Sequence, residues 1–419
     1  MSTQSTPSIL FTHQPAQQSF RLLELPPDLA DLLSSDNPPR LELKSPSTTS
    51  TPSQPTDAAT ATEFVNLCTP SQTFSIRQVQ SSNSLHILQP SNGGRVRRHD
   101  LSIVGDAREE GEDLDTDMVD ADLALNVEGT VTSIAKCGST LELHTPPEGF
   151  SAVPFLRGLL GVYDNGMRRG EDGDEDMEEE STETRKNIRD RLFHDIPVSM
   201  AQCERGWAEI CAFVLPPRAS TEKEFGLASS CCWRPSAGME LQVWKRAVEG
   251  AVLQGIDLGK QFLVKDLWKS VLDDDGLEPF PRPLFEAVIR RIRESGEGAG
   301  GGFAVEEIKW ASIDKETCVR WVGEAYLEAT ASSAASAISQ NEFLNAWRDQ
   351  LPETWREDAS LALLPENCYM HPEPKTICFA TEGDRQKVKK NLSTDTSAAT
   401  AAKKTRNWHE LFNQKRQKR

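Results

Sequence analysis

No stretch of this 419-residue chain is long and apolar enough to reach the roughly 18 residues of a membrane-spanning helix. The amino terminus, M-S-T-Q-S-T-P, lacks the basic and apolar regions of a secretory signal, so a soluble intracellular protein is expected. No C-x-x-C pair joins any of the nine cysteines: Cys203 and Cys211 are eight apart, Cys231 and Cys232 adjacent, Cys368 and Cys378 ten apart. Zinc spacing is therefore missing, and scattered small core thiols in a reducing compartment are expected instead. G-x-x-x-x-G-K-[ST] is also missing, which removes the phosphate-cradling loop of an ATPase. The glycine run Gly298 to Gly302 does not replace it, because it precedes a strand pattern and reads as a flexible loop. No H-E-x-x-H occurs among the seven histidines, and His86 falls inside a strand pattern, where a paired sheet residue is expected. These absences point away from an enzyme: no catalytic residue, no cofactor and no metal ligand is expected.

Charge comes next. Asp and Glu number 64 against 46 Lys and Arg, a net charge of −18, which excludes a globally basic nucleic-acid coat but not local basic faces. Hydrophobic content is 37 %, low for a fully packed chain, so cores separated by disordered inserts are expected. Ser45 to Thr62, rich in Ser, Thr, Pro and Ala, cannot bury enough apolar surface to offset chain entropy. Asp106 to Asp122 and Gly170 to Glu183 each hold nine acidic residues and read as a second insert and a solvated linker. Carboxylates in such stretches are neither desolvated nor positioned for acid–base work.

The first third of the chain carries strand periodicity. Ser19 to Leu25 and Arg40 to Lys44 look like short strands flanking a helical turn at Pro27 to Leu33. Glu63 to Cys68 is strand-like. In Thr73 to Leu88, Phe74 and Ile76 alternate with Ser75 and Arg77, Ser81 to Ser84 make a polar break, and Leu85 and Ile87 resume the period of two. Strand, turn, strand is expected there, then a tight turn at Asn92-Gly93-Gly94 and strands at Thr130 to Ile134 and Thr140 to His144. Together these predict a barrel-like or sandwich-like β domain with exposed edges. Phe150 to Tyr163 looks helical and able to brace it.

Beyond the acidic linker the period becomes helical. Arg185 to Phe193 and Ser199 to Leu215 are helical runs followed by a short strand at Cys231 to Pro235. Leu241, Trp244, Val248 and Val252 line one later helix, Phe262, Leu267, Trp268 and Val271 another, and Leu284, Phe285, Val288, Ile289 and Ile292 a third, before a strand at Phe303 to Val305. Asp314 is a predicted N-cap, Ser339 to Glu342 a capping box, and Thr376 to Phe379 a strand. Helices closed by short strands, three times over, are what tandem winged helices would look like.

The order F-V-N-L-C-T followed by T-F-S-I-R-Q-V-Q-S-S-N-S-L resembles the signature of the DCC family, the sister-chromatid-cohesion subunit of an alternative replication factor C clamp loader. F-L-N-A-W-R-D-Q-L-P (Phe343 to Pro352), T-I-C-F and R-N-W-H-E-L-F (Arg406 to Phe412) are similar to its last repeat and its fungal-type ending. The resemblance implies an α+β chain: an N-terminal β-barrel-like domain over 1–165 with inserts near 45–62 and 106–122, an acidic linker over 166–184, winged-helix units over 185–236, 237–311 and 312–381, and a basic tail over 382–419. It implies a nuclear, noncatalytic adaptor whose partners are the loader's large and very small cohesion-specific subunits, the catalytic subunit of DNA polymerase epsilon and DNA, with PCNA reached indirectly and no membrane involved. Phe64, Val65, Leu67, Phe74, Ile76, Arg77, Leu85 and Ile87 are the assembly candidates.

Two basic features are DNA-binding candidates. Arg282, Arg290, Arg291 and Arg293 surround the third helix of the middle unit, where a winged helix places its groove-reading helix. The tail from Arg385 holds eleven Lys and Arg, among them Lys403, Lys404 and Arg406, against Asp395 and Glu410, which suits DNA contact or nuclear import. Its Trp408, Leu411 and Phe412 suggest a docking segment. The rival reading, a winged-helix transcription regulator, requires a clearly basic recognition helix.

Overall fold

The computed structural model describes residues 11–13, 18–45, 64–90, 101–102, 131–147, 149–164, 182–215, 231–273, 275–294 and 308–380. The turn expected at Asn92 to Gly94, the inserts at 46–62 and 106–122, the linker at 166–181, the glycine run, the strand at 303–305 and the basic tail lie outside these residues. Two compact units result: a β unit of 1–46, 56–150 and 197–199, and a helical unit of 151–196 and 200–419 with a short stretch at 47–55. The boundary at Phe150/Ser151 falls ahead of the expected one at 165.

The β unit runs β1 (Phe11–His13), β2 (Leu22–Glu24), α1 (Pro27–Leu33), β3 (Glu42–Lys44), β4 (Asn66–Cys68), β5 (Thr73–Pro90), β6 (Leu101–Ser102) and β7 (Val131–His144). Its sheet has the order β3-β4-β5-β7-β1-β6, with β2 also paired to β7. Two expectations change here. Ser81 to Ser84 are not a turn: β5 is one 18-residue strand, and its register on β7 jumps from Gln80↔Ser139 to Leu85↔Cys137. The polar residues fill a bulge, which bends a strand without ending it. Likewise the two strands expected at 130–144 are one strand. The second change is that the sheet does not close into a barrel among the described residues. Only β5 and β7 are long, and β3 and β6, at the two ends of the order, do not pair with each other. Its core is Leu29 of α1 with Leu67 and Phe74, against which Leu33, Leu41, Ile76 and Leu143 pack. Pro at the first helical position presets α1, whose Leu29 lies on the sheet side.

The helical unit continues with α2 (Val153–Leu159), β8 (Gly161–Tyr163), α3 (Thr182–His194), α4 (Met200–Glu209), β9 (Phe213–Val214), β10 (Cys232–Pro235), α5 (Ala237–Gln254), β11 (Phe262–Leu263), α6 (Val264–Val271), α7 (Arg282–Ile292), β12 (Trp310–Ala311), α8 (Lys315–Thr330), β13 (Ile338–Ser339), α9 (Gln340–Asp349), β14 (Tyr369–Met370) and β15 (Thr376–Phe379). The strands form three small sheets, β8-β10-β9, β11-β12 and β13-β15-β14. α2 packs on α4 within this unit, where Gly206 lets the helices approach: a Cβ there would lie 3.0 Å from that of Ala152. Helix ends follow their capping residues. Ser236 Oγ accepts from Met239 N at 3.2 Å, Asp314 Oδ1 from Thr317 N at 2.8 Å, and Ser339 Oγ from Glu342 N at 3.2 Å. Gly255 closes α5 with φ 63°.

Tryptophans hold the core together. Trp244 of α5 stacks near Trp355 (centroids 6.4 Å, 18°) and meets Trp321 of α8 edge-on (6.3 Å, 85°). Their polar edges are satisfied by backbone: Trp244 Nε1 donates to Gln350 O and Trp347 Nε1 to Val319 O, both at 2.9 Å. All nine cysteines are buried, as expected of core thiols. Val252, expected in the α5 stripe, is instead 75 % exposed, because the packed face of the last turn runs through Ala247 and Ala251, which are buried, and Val252 lies off it.

Gly323 supplies a direct test of this packing. A Cβ at that position would lie 2.6 Å from the Trp347 ring. Gly323→Ala gains about 0.5–1 kcal/mol of helix propensity but forces overpacking that costs about 1–3 kcal/mol. We expect a net loss, read as a lower denaturant midpoint at unchanged m-value; an unchanged or raised midpoint contradicts this packing.

Candidate functional site

The assembly candidates divide into two groups. Leu67 and Phe74 are core, buried against α1, with Ile76 half-buried beside them. The hairpin that presents them turns at 69–72, where Thr69 Oγ1 accepts from Gln72 N at 2.9 Å and Ser71 N at 3.3 Å. Phe64 is half-buried and Val65 is 43 % exposed at the point where β4 ends, and the last bond to β5 runs from Ile76 N to Val65 O at 3.1 Å. Beyond Ile76, β5 pairs with β7 alone: from Arg77 to Pro90 its other side carries no strand among the described residues. Arg77 is exposed and donates to Glu142 on β7 at 2.8 Å.

Along that free side the face changes character. Leu85, Ile87 and Leu88 lie opposite Cys137, Ala135 and Ser133 of β7, three residues that are fully buried or nearly so. Yet Leu85 and Leu88 are themselves 47 % and 48 % exposed. The result is a long strand with an open hydrogen-bonding edge beside a half-covered apolar strip, the surface a further strand would complete.

Sequence reasoning passed over a second feature of this unit. Lys44 Nζ donates to Val198 O at 3.1 Å, Asn66 Nδ2 to Pro197 O at 2.7 Å, and Ser199 N to Thr73 Oγ1 at 2.7 Å, so 197–199 is pinned by three polar side chains of β3, β4 and β5. Lys44, Asn66 and Thr73 are all buried. The only local signal was a polar residue inside an apolar strand pattern; the partners lie over 120 residues away.

The arginines proposed for DNA do not form one free basic face. Arg282 Nε pairs with Glu286 at 3.0 Å within α7. Arg290 and Arg291 are half-buried, and burial pushes the Arg290 guanidinium below its ordinary value against the opposing pull of Glu286. Arg293 is half-buried and bridges Ile313 through its backbone. Lys403, Lys404 and Arg406 lie outside the described residues.

Arg291 belongs to another assembly of charges within the helical unit. Glu240 of α5 faces Glu328 of α8, Arg291 of α7 and Arg157 of α2, and bonds Trp321. Burial first, then repulsion from Glu328, push its carboxyl from 4.5 up to about 8, against the arginines and the Trp321 bond. Arg234 of β10 faces the same two glutamates and Arg157. Near neutral pH Glu240 is therefore mostly protonated, and its ionisation opposes folding.

The sign of the resulting pH dependence is fixed. The folded chain holds the Glu240 proton between about pH 4.5 and 8 while the unfolded chain releases it, so this group's contribution is complete below 4.5 and is lost as pH rises through 8. Glu240→Gln removes that dependence. Expected is a variant whose unfolding free energy gains on wild type by up to about 1.4 kcal/mol per pH unit across this window. Parallel profiles for the two proteins would contradict the assignment.

Two comparisons with known proteins complete the description. The family model described as sister chromatid cohesion protein Dcc1 matches residues 20–384, which takes in both compact units. No curated protein matches the chain.

Proposed function

The chain belongs to the Dcc1 family of sister chromatid cohesion proteins, and on that premise we propose that it is a noncatalytic subunit of an alternative replication factor C-like clamp loader. In this reading it acts in the nucleus at replication forks, where the loader's ATPase subunits handle the PCNA ring and this subunit supports cohesion by bridging them to DNA polymerase epsilon and DNA. The large and very small cohesion-specific subunits are its direct partners in the loader.

The observation that carries the reading is the open edge of β5. A strand of this length leaves backbone N–H and C=O groups facing outward beyond Ile76, next to exposed Leu85 and Leu88. Natural sheets protect such edges, and a partner strand that supplies main-chain bonds while covering the leucines does so. Closing the sheet with strands from two other subunits would give the barrel that the described residues do not form by themselves.

The helical unit suits a tandem of winged helices. Its middle stretch runs helix, short strand, two helices, strand (α5, β11, α6, α7, β12), and its last stretch runs helix, strand, helix, helical turns and two strands. These are the proposed contacts to the polymerase and to DNA. A transcription regulator gains little from α7, where Arg282 pairs with Glu286 and Arg290 and Arg291 are half-buried.

Leu85→Glu with Leu88→Glu tests the reading. Both side chains are half exposed, so the isolated variant should keep the wild-type unfolding midpoint. Coexpressed with the loader's large and very small subunits, wild type should copurify with both and the double variant should lose them by tenfold or more. Undiminished recovery of both subunits with the variant would contradict the proposed interface.

A further inference from the structure

Strand register places one exposed hydroxyl beside the point where β5 loses its neighbour. β3 pairs with β4 up to Lys44↔Asn66, and β4 sets Asn66 opposite Ser75 of β5. One residue further, the same antiparallel registers put Ser45 in the row of Val65 and Ile76, the two residues joined by the last bond between β4 and β5. Neighbouring strands lie roughly 4.8 Å apart, so Ser45 stands one spacing from Val65 and two, roughly 10 Å, from Ile76. The open side of β5 begins at the next residue, Arg77. A strand docking there continues the line of β4, and its end meets Val65 with Ser45 at its flank.

Ser45 is exposed and is followed by Pro46. Proline has no N–H to satisfy and holds the residue before it extended, which is the pattern that a proline-directed kinase reads. Two other hydroxyls of the β unit precede a proline and suit this role less well. Thr69 is 3 % exposed, and its Oγ1 accepts from Ser71 N and Gln72 N in the hairpin turn. Thr145 is exposed but follows β7, which lies across β5 from β4.

The charges around Ser45 decide what a phosphate does there. Lys44 turns inward: its side chain is 8 % exposed, and its Nζ donates to Val198 O at 3.1 Å and lies 3.7 Å from Glu42. Arg77 pairs with Glu142 at 2.8 Å. Both cations are thus engaged within the unit, and Glu42 and the 43 % exposed Val65 give a phosphate acidic and apolar surroundings. A modification of that kind disrupts an interface through repulsion and the cost of dehydrating the dianion.

We propose that Ser45 is a phosphorylation site for a proline-directed kinase and that its phosphate opposes the docking of a partner strand on β5. The second half rests on the proposed assembly role. In the transfer, Ser45 Oγ forms a bond to the γ-phosphorus of ATP as the bond to ADP breaks, and the hydroxyl proton passes to the kinase.

Treatment of the full chain with a cyclin-dependent kinase and magnesium ATP, followed by peptide mass spectrometry and copurification, tests both halves. Ser45 should carry phosphate and Thr69 should not. Recovery of the loader's large and very small subunits by the treated chain should fall about tenfold against untreated wild type. Treated Ser45→Ala should recover them as untreated wild type does, and Ser45→Glu should lose a smaller share at an unchanged unfolding midpoint. Unmodified Ser45, undiminished recovery by the chain phosphorylated there, or an equal fall in treated Ser45→Ala overturns the proposal and leaves the assembly role standing. Untreated wild type that recovers neither subunit overturns the assembly role and the second half of the proposal together, while the phosphate map decides the first half by itself.

Discussion

Backbone pairing between β5 and β7 is the interaction on which the β unit depends. Every main-chain N–H and C=O in a sheet must find a partner or water, and these two strands satisfy one another over most of their length. The remaining strands are two or three residues long: β4 pairs with β5, β1 and β2 with β7, and β3 and β6 pair onward with β4 and β1. Helix α1 covers the end near Phe74 and Ile76 but not the end near Leu85 and Leu88. Among the described residues the sheet is thus left incomplete on one side of β5 beyond Ile76. Under the proposed function, assembly with another chain covers that edge.

The helical unit follows a different logic. Its largest core cluster runs from Cys211 to Phe379, so the middle and last helix-and-strand stretches share one apolar interior, to which the first contributes Cys211 and Phe213. Tryptophans do much of the filling, with their indole N–H groups paired to carbonyls of other elements. Close approach makes the packing exacting, as at Gly323 under Trp347 and Gly161 beside Trp233. Glu240 enters this interior largely in its protonated form, facing Glu328, Arg157, Arg234 and Arg291 from four other elements, and half-burial of Arg291 takes one side chain of a basic helix away from a free surface.

Much of this was legible beforehand. Pro27 to Leu33 and Thr376 to Phe379 have the predicted bounds, and the caps Asp314 and Ser339 act as their residue types suggest, because each is decided by neighbours in sequence. Ser81 to Ser84 misled because polarity marks a bulge and a turn alike, and only the partner strand distinguishes them. The half-burial of Arg290 and Arg291 was not legible because helix position says nothing about what packs opposite. Lys44, Asn66 and Thr73 were missed since their partners sit at 197–199.

Amide hydrogen exchange on β5 measures the central claim most directly. In the isolated chain, outward-facing amides between Arg77 and Pro90 should exchange quickly compared with those bonded to β7. Bound to the loader's large and very small subunits, those same amides should become strongly protected, while Thr73 to Ser75, already paired with β4, should change little. Formation of the complex without any new protection between Arg77 and Pro90 would mean that assembly uses another surface and that the open edge of β5 is not the interface.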